Sequence, residues 1–434
     1  MKRELMTRLQ AWKTSARRKP MLVMGARQVG KTTLLRDFGK TNYQNYVELN
    51  FDDRPNLKQL FERDLKPERI LRDISLELNV EIIPGETLLF FDEIQECPNA
   101  LNSLKYFREN ANEYHVCGAG SLLGVKLSNT KGFPVGQVHF EKLFPLNFFE
   151  FLDALGQTRL KNYLLSLTLK DTISDLIHDK ALEYLKYYFL IGGMPEAVRT
   201  YQETEQFEAV RDVHKDILHA YDLDFIKHAP NDLVMKITDC FHSITSQLAR
   251  ENKKFIYSVI REGARARNYE EAVQWLVEAN LFNKVYQIST PKLPLKAYEN
   301  PQYFKAYFCD VGLLNTLADL PIKTVIHGND LFQEFQGALT ENFVAQELVQ
   351  QHERLHYWTS ENRAEIDFVF QQDSTVYPLE VKSGVSNHKK SLVFYGEKYN
   401  PPVLLRTSPQ NLDKQPGFIN LPLYLIGQCA RLFV

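Results

Sequence analysis

The stretch Gly25-Ala-Arg-Gln-Val-Gly-Lys-Thr32 constrains this chain more than any other. It has the P-loop spacing: glycine, four residues, then Gly-Lys-Thr. The apolar run Met21-Leu-Val-Met24 precedes it and reads as a buried parallel strand. Thr33-Leu-Leu-Arg-Asp-Phe-Gly39 follows and reads as a short helix that Gly39 ends. Gly25 and Gly30 let the backbone curl, so that N–H groups of Ala26, Arg27, Gln28 and Val29 can face phosphate oxygens. The helix start at Thr32 and Thr33 adds its positive dipole end. Lys31 would reach the β- and γ-phosphates of ATP, and the Thr32 hydroxyl would bind Mg²⁺.

A second motif, Thr87-Leu-Leu-Phe-Phe-Asp92-Glu93, reads as a buried strand delivering two carboxylates to its C-terminal edge. Ligands bind at that edge of open α/β sheets. Asp92 would hold Mg²⁺, and Glu93 would orient or deprotonate the attacking water. Alone, an acidic pair there reads as a helix cap. A P-loop about sixty residues upstream makes the catalytic reading the stronger one. Tyr46–Phe51 and Tyr114–Ser121 read as further strands, residues 57–80 and 99–112 as helices, so the fold class is α/β with a parallel, doubly wound sheet. Ser121, at the end of the strand after the Asp-Glu strand, can touch a γ-phosphate; a turn serine is an equal reading.

At 434 residues the chain is too long for one core. The net charge of −2 creates no global field toward nucleic acid or membrane, so any such binding needs a local patch. No apolar run is long enough to cross a bilayer, and the N-terminus lacks a signal-peptide core. Five widely spaced cysteines argue for reduced residues and a cytoplasmic location. Residues 128–136 read as an exposed loop. Helical signals then run to about residue 229, broken by the Ile191-Gly-Gly-Met-Pro195 turn, which is expected to pack against the nucleotide domain.

Four stretches together resemble one family: residues 25–32, Phe-Asp-Glu-Ile-Gln at 91–95, Phe-Pro-Leu-Asn-Phe-Phe-Glu-Phe at 144–151, and Gly-Gly-Met-Pro-Glu-Ala at 192–197. The chain looks like AAA-type ATPases of bacteria and archaea that carry a C-terminal domain of unknown function. The resemblance covers essentially the whole chain. It implies an AAA+ core over 1–152, a helical lid over 153–229, a winged helix over 230–315 and a restriction-endonuclease-like domain over 330–434. Where relatives often carry Thr-Gly-Ser and Gly-Arg, this chain has Cys117-Gly-Ala119 and Gly136-Gln137. Arg108, Arg159 and Arg199 are open candidates for an arginine finger, and the oligomeric state is open.

Helices followed by a hairpin over 230–315 fit a winged helix. Asn268 with Glu271 suggests a capping-box start for Tyr269–Asn280. That helix would bury Ala272, Val273, Leu276 and Ala279 and expose Glu270, Glu271, Gln274 and Glu278, which phosphates would repel. Arg261, Arg265 and Arg267 precede it and could touch backbone phosphates without reading bases. In the last module, Asp367, Glu380 and Lys382 have the arrangement of PD-(D/E)xK nucleases. The resemblance supplies their roles: Glu341, Asp367 and Glu380 as Mg²⁺ ligands with the Val381 carbonyl, and Lys382 as the catalytic cation. The expected function is thus an ATP-hydrolysing, DNA-linked machine with a nuclease-like domain. Its alternative is an ATP-driven switch that grips a protein partner through an inactive nuclease fold.

Overall fold

The structure is a computed structural model describing residues 1–125, 136–251, 253–327, 333–360, 363–385 and 389–433. The expected loop at 128–136 lies, except for Gly136, outside the described residues. The chain divides into two compact units: Lys2–Phe144 with Glu278–Asn280, and Pro145–Val277 with Leu281–Val434 and Met1.

In the smaller unit, α1 (Leu5–Thr14) is followed by β1 (Met21–Met24), α2 (Lys31–Asn42), β2 (Asn45–Asn50), α3 (Pro67–Leu78), β3 (Thr87–Asp92), α4 (Pro98–Asn110), β4 (His115–Gly120) and β5 (His139–Lys142). The five strands form one parallel sheet in the order β2-β3-β4-β1-β5. All six residues of β3 are buried, as a strand covered on both faces requires. Phe51, Phe61, Phe91 and Phe107 meet edge-to-face at 5.5–6.3 Å, and this aromatic cluster fixes α4 on the sheet. The helix expected over 57–80 is two pieces, a 3₁₀ segment Pro55–Phe61 and α3. Pro67 opens α3, since proline disfavours helical geometry at the residue before it.

The larger unit continues with α5 (Phe148–Ala154), α6 (Thr158–Ser166), α7 (Asp175–Ile191), α8 (Pro195–Thr204), α9 (Phe207–His228), α10 (Val234–Leu248), α11 (Tyr257–Ile260) and α12 (Ala266–Glu278). Then come the hairpin β6 (Phe282–Ile288) and β7 (Glu299–Phe308), α13 (Val311–Leu317), α14 (Ile322–His327) and α15 (Gln333–Leu348). The chain ends with β8 (Leu355–Ser360), β9 (Ala364–Gln372), β10 (Thr375–Val381), α16 (Lys390–Tyr399), β11 (Leu404–Ser408), β12 (Asp413–Gln415), β13 (Phe418–Pro422) and α17 (Cys429–Leu432). Asn147 and Glu150 form a full capping box on α5. No such box starts α12: the helix begins at Ala266, so Asn268 lies inside it.

One mixed sheet runs through this unit in the order β12-β13-β11-β10-β9-β8-β6-β7. β6 pairs in parallel with β8, with Val285 opposite Leu355 and Ile288 opposite Trp358. The hairpin assigned by sequence to a separate winged helix is therefore two strands of the same sheet as β8–β13, and the sheet crosses the expected boundary between 315 and 330. Trp358, Ile366, Val369, Leu392 and Tyr395 form the core beneath its centre.

The Gly192-Gly193 turn is held inside this unit. Leu146 N–H donates to Gly193 O at 2.7 Å, and Gly193 N–H donates to Asp310 Oδ2 at 2.6 Å. A Cβ on Gly193 would lie 2.1 Å from Leu146 O, and one on Gly192 2.1 Å from Asp310 Oδ1, so both positions exclude a side chain.

Candidate functional site

At the C-terminal edge of the parallel sheet, β1 and β3 deliver their loops on either side of β4. Gly25 (φ 153°) and Gly30 (φ 94°) take left-handed or extreme backbone angles, and Gln28 (φ 67°) does so as a non-glycine residue. A Cβ on Gly25 would lie 2.1 Å from Leu143 O, so the loop approaches the chain after β5 more closely than any side chain permits. Gly30 begins α2, whose first residue is Lys31. Lys31 is buried, and its Nζ donates to Gly25 O at 2.9 Å and Ala26 O at 2.8 Å across the loop.

Thr32 Oγ1 lies 3.1 Å from both carboxylate oxygens of Asp92. Asn50, at the end of β2, donates to Asp92 Oδ2 at 3.1 Å. Burial first, and then the charge of Glu93, push the Asp92 carboxyl up to about 6. A hydroxyl and a carboxylate facing each other beside a lysine-bearing glycine loop fit a magnesium nucleotide: Thr32 and Asp92 are hard oxygen donors, and the loop with Lys31 matches phosphate charge. Glu93 leaves β3 in a left-handed conformation (φ 47°, ψ 45°), which turns its carboxylate off the strand. Ser121 is buried where β4 ends. Arg27 is half-buried and Thr33 is exposed at the start of α2.

The sequence reading missed three supports of this edge. Arg3 donates to Val29 O at 2.9 Å and to Phe144 O, tying the loop to the N-terminal segment. Asn50 orients Asp92, as described, and Gln95 donates to Glu93 Oε2 at 2.6 Å. For Gln95 a signal existed, in its position two residues beyond an acidic pair; for Arg3 none did.

The residues of the second expected site lie in the larger unit. Asp367 on β9 accepts from Val381 N–H at 2.8 Å, and Lys382 Nζ pairs with Glu380 Oε1 at 2.8 Å. Glu380 Oε2 is buried without a hydrogen-bond partner. Glu341 on α15, however, is engaged by Lys253 Nζ and by Tyr307 OH, the latter at 3.0 Å. Lys305, on β7 and 1% exposed, pairs with Glu365 at 2.5 Å and lies 3.9 Å from Asp367 Oδ1. Its ammonium stands 5.1 Å over the Tyr357 ring. Burial opposes the Lys305 charge, but Tyr307, Glu365, Glu341 and Asp367 outweigh it and hold its pKa well above the ordinary lysine value. Burial opposes ionisation of Glu341 too; Lys253 and Lys305 reverse that and lower its pKa. Burial and the charge of Glu341 push Asp367 up to about 7.

Among the described residues, no three of His, Cys, Asp and Glu gather as a group able to hold a metal ion. Each of Glu341, Asp367 and Glu380 has a lysine within 4.0 Å, with which a divalent ion would compete. A divalent ion placed there would meet the charge of the buried Lys305. Lys253, Lys305, Tyr307 and Glu365 were absent from the sequence reading.

Several comparisons bear on these units. Residues 17–152 match the family described as AAA domain. Residues 182–324 match Domain of unknown function (DUF8612), and residues 336–426 match Domain of unknown function (DUF4143). Nothing among the curated proteins matches the chain. Among solved structures, the Walker-type ATPase PABY2304 of Pyrococcus abyssi is similar at 15% identity, over 73% of this chain and 95% of that one, with a TM-score of 0.45. The Aeropyrum pernix ORC1 protein in complex with DNA is similar at 12% identity, over 74% and 92%, with a TM-score of 0.31. AMPPCP-bound DnaA from Aquifex aeolicus is similar at 16% identity, over 63% and 86%, with a TM-score of 0.26.

Proposed function

We propose that this chain, whose residues 17–152 match an AAA domain, binds and hydrolyses ATP at the edge between β1 and β3. The carrying observation is Thr32 Oγ1 at 3.1 Å from both oxygens of Asp92, next to Lys31 in a buried glycine loop. Thr32 and Asp92 would hold Mg²⁺, which when bound supplies positive charge against the phosphate oxygens. Lys31 exchanges its two loop carbonyls for phosphate oxygens, a like-for-like replacement of acceptors. The loop N–H groups and the start of α2 stabilise charge at the phosphates. Glu93 Oε1 takes the proton of the attacking water. Ser121 would touch the γ-phosphate from the end of β4.

What hydrolysis drives has two readings, and the ion-pair centre around Lys305 favours the second. The first is a DNA-linked machine that cuts through Asp367, Glu380 and Lys382. The second is an ATP-driven switch whose larger unit binds a partner and does not cut. DNA contact, in either case, would come from Arg261 and Arg265, exposed before α12, and Arg267, exposed in its first turn. Glu270, Glu271 and Gln274 are exposed on α12 itself and would turn phosphate away. Such contact would be independent of sequence. No helix among the described residues is long and apolar enough to cross a membrane.

The test is ATP turnover on the full chain, alone and with single-stranded, duplex and branched DNA, with Mg²⁺ or Mn²⁺, beside Asp367→Asn. The switch reading expects turnover without DNA cleavage. Cleavage lost in Asp367→Asn restores the nuclease reading, and absence of any turnover removes both.

A further inference from the structure

Glu93 does not stand alone at the sheet edge. Its left-handed backbone starts a single 3₁₀ turn, Ile94–Glu96, in which Glu96 N–H donates to Glu93 O at 2.9 Å. That reversal carries the Gln95 side chain back over the carboxylate, where Nε2 donates to Glu93 Oε2 at 2.6 Å. Gln95 is 7% exposed, so the bond is sheltered from water. Its Oε1 is buried and has no hydrogen-bond partner. Rotating the amide would set an oxygen against the carboxylate, so charge fixes the orientation and leaves Oε1 unpaired. An unpaired buried amide oxygen is unfavourable, and it persists because the NH₂ group is committed to Glu93.

The other side of this amide rests on β4. A Cβ on Gly120 would lie 2.0 Å from Gln95 Oε1 and 3.1 Å from its Cδ. The glycine opens a notch that the Gln95 amide fills, with Leu123 Cβ at its side, and Ser121 follows directly. Base, amide and notch form one line from the end of β3 to the end of β4.

We propose that Gln95 is the positioning residue for Glu93, seated in the Gly120 notch and aiming Glu93 Oε1 at the attacking water. The proposal rests on the reading of Glu93 as the base of ATP hydrolysis. Gln95 touches neither nucleotide nor water; it acts through Glu93. One oxygen of the carboxylate is held, and the other keeps its lone pairs for the proton.

The experiment uses the full chain and two readouts, ATP dissociation constant by fluorescent-nucleotide titration and single-turnover hydrolysis. Gln95→Ala is expected to lower the hydrolysis rate about 10- to 100-fold, the scale on which a misplaced reacting group fails. ATP affinity should stay within about twofold. Gly120→Ala is expected to act the same way, because its Cβ displaces the flexible end of Gln95. The double variant should be no slower than the slower single one, since both disrupt the same hydrogen bond. Gln95→Glu supplies a readout that a merely structural residue would not move: an ionised carboxylate cannot donate to Glu93, so hydrolysis falls while ATP affinity holds. Full-rate hydrolysis by Gln95→Ala, or additive losses in the double variant, would overturn the proposal. Glu93→Gln separates the two levels: if it hydrolyses at the wild-type rate the base assignment itself fails, and if it is inactive while Gln95→Ala is not, only the positioning role fails.

Discussion

Lys305 Nζ lies 3.9 Å from Asp367 Oδ1, deep in the larger unit. The lysine comes from β7, the second strand of the hairpin, and the aspartate from β9. An ammonium from one supersecondary unit thus stands beside a carboxylate that a nuclease would use for metal. The centre carries its own cation before any ligand arrives.

Removing that cation should be costly. Lys305→Met leaves Glu365 and Asp367 without compensation, and unpairing a buried ion pair destabilises by about 3–5 kcal/mol. Urea unfolding of the variant should show this loss, and Lys305→Met with Asp367→Asn should recover part of it. Millimolar Mn²⁺ should leave wild-type stability unchanged and should raise that of Lys305→Met, whose carboxylates are open to a cation. Stabilisation of the wild type by Mn²⁺ would mean that the centre accepts metal as it stands.

At the nucleotide edge, Lys31→Ala should abolish ATP binding by removing the main phosphate cation. Glu93→Gln should keep binding and lose hydrolysis by about 10²-fold or more, the contribution of a positioned base. Nucleotide titration and phosphate release measured on the same samples distinguish the two variants. Equal hydrolysis by Glu93→Gln and wild type would refute the base assignment.

Asp92 sets a pH dependence. Its pKa is raised to about 6, so it carries a proton below that pH. A raised carboxylate favours the folded state while protonated; that contribution is complete below the ordinary value near 3.8 and is lost as pH rises through about 6. Cation binding needs the ionised form. The gain in ATP affinity on adding Mg²⁺ should therefore fall as pH drops below about 6, by up to roughly tenfold per pH unit for one proton. ATP titrations with and without Mg²⁺ across that range check it, and Asp92→Asn should show little Mg²⁺-dependent gain at any pH.

Gly193→Ala should destabilise the larger unit by about 3 kcal/mol or more. Its Cβ would meet Leu146 O at 2.1 Å and Leu146 N at 2.7 Å, both backbone atoms without a rotamer to yield. Loss of soluble protein, or a markedly lower Tm, is the expected result. Wild-type stability would mean that this turn can open without harm.

Replacing Arg261, Arg265 and Arg267 together should weaken any duplex DNA binding evenly across sequences. The slope of log affinity on log salt should flatten by up to roughly 0.9 for each phosphate no longer neutralised. An unchanged slope places the DNA-binding surface elsewhere.

Sequence motifs reveal the nucleotide edge because its chemistry is local. Gly25 to Thr32 and Phe91 to Glu93 each hold their meaning within a few residues, and parallel pairing of β1, β4 and β3 brings them together. The burial pattern of α12 was also legible, since Ala272, Val273 and Leu276, with Ala279 just beyond its end, are all buried. The ion-pair centre was not, because Lys305 and Asp367 are distant in sequence and no motif spans that separation. One local clue existed: Lys305 interrupts the apolar strand Phe304–Phe308 and shares a face with Tyr307, two residues on. The divided helix over 57–80 was misjudged for a different reason, as an apolar period continued across Pro67 although proline disfavours helical geometry at Lys66.

The parallel pairing of β6 with β8 bears on how this chain can be taken apart. A hairpin used as a wing must keep its strands clear for a groove, whereas β6 spends its outer edge on β8. Cutting the chain between β7 and β8 would leave one unpaired edge on each fragment, that of Phe282–Ile288 on one and that of Leu355–Ser360 on the other. Such open edges recruit other chains. Neither fragment is therefore a portable module. The last hundred or so residues, transplanted alone, would carry six of the eight strands with one edge left open to association.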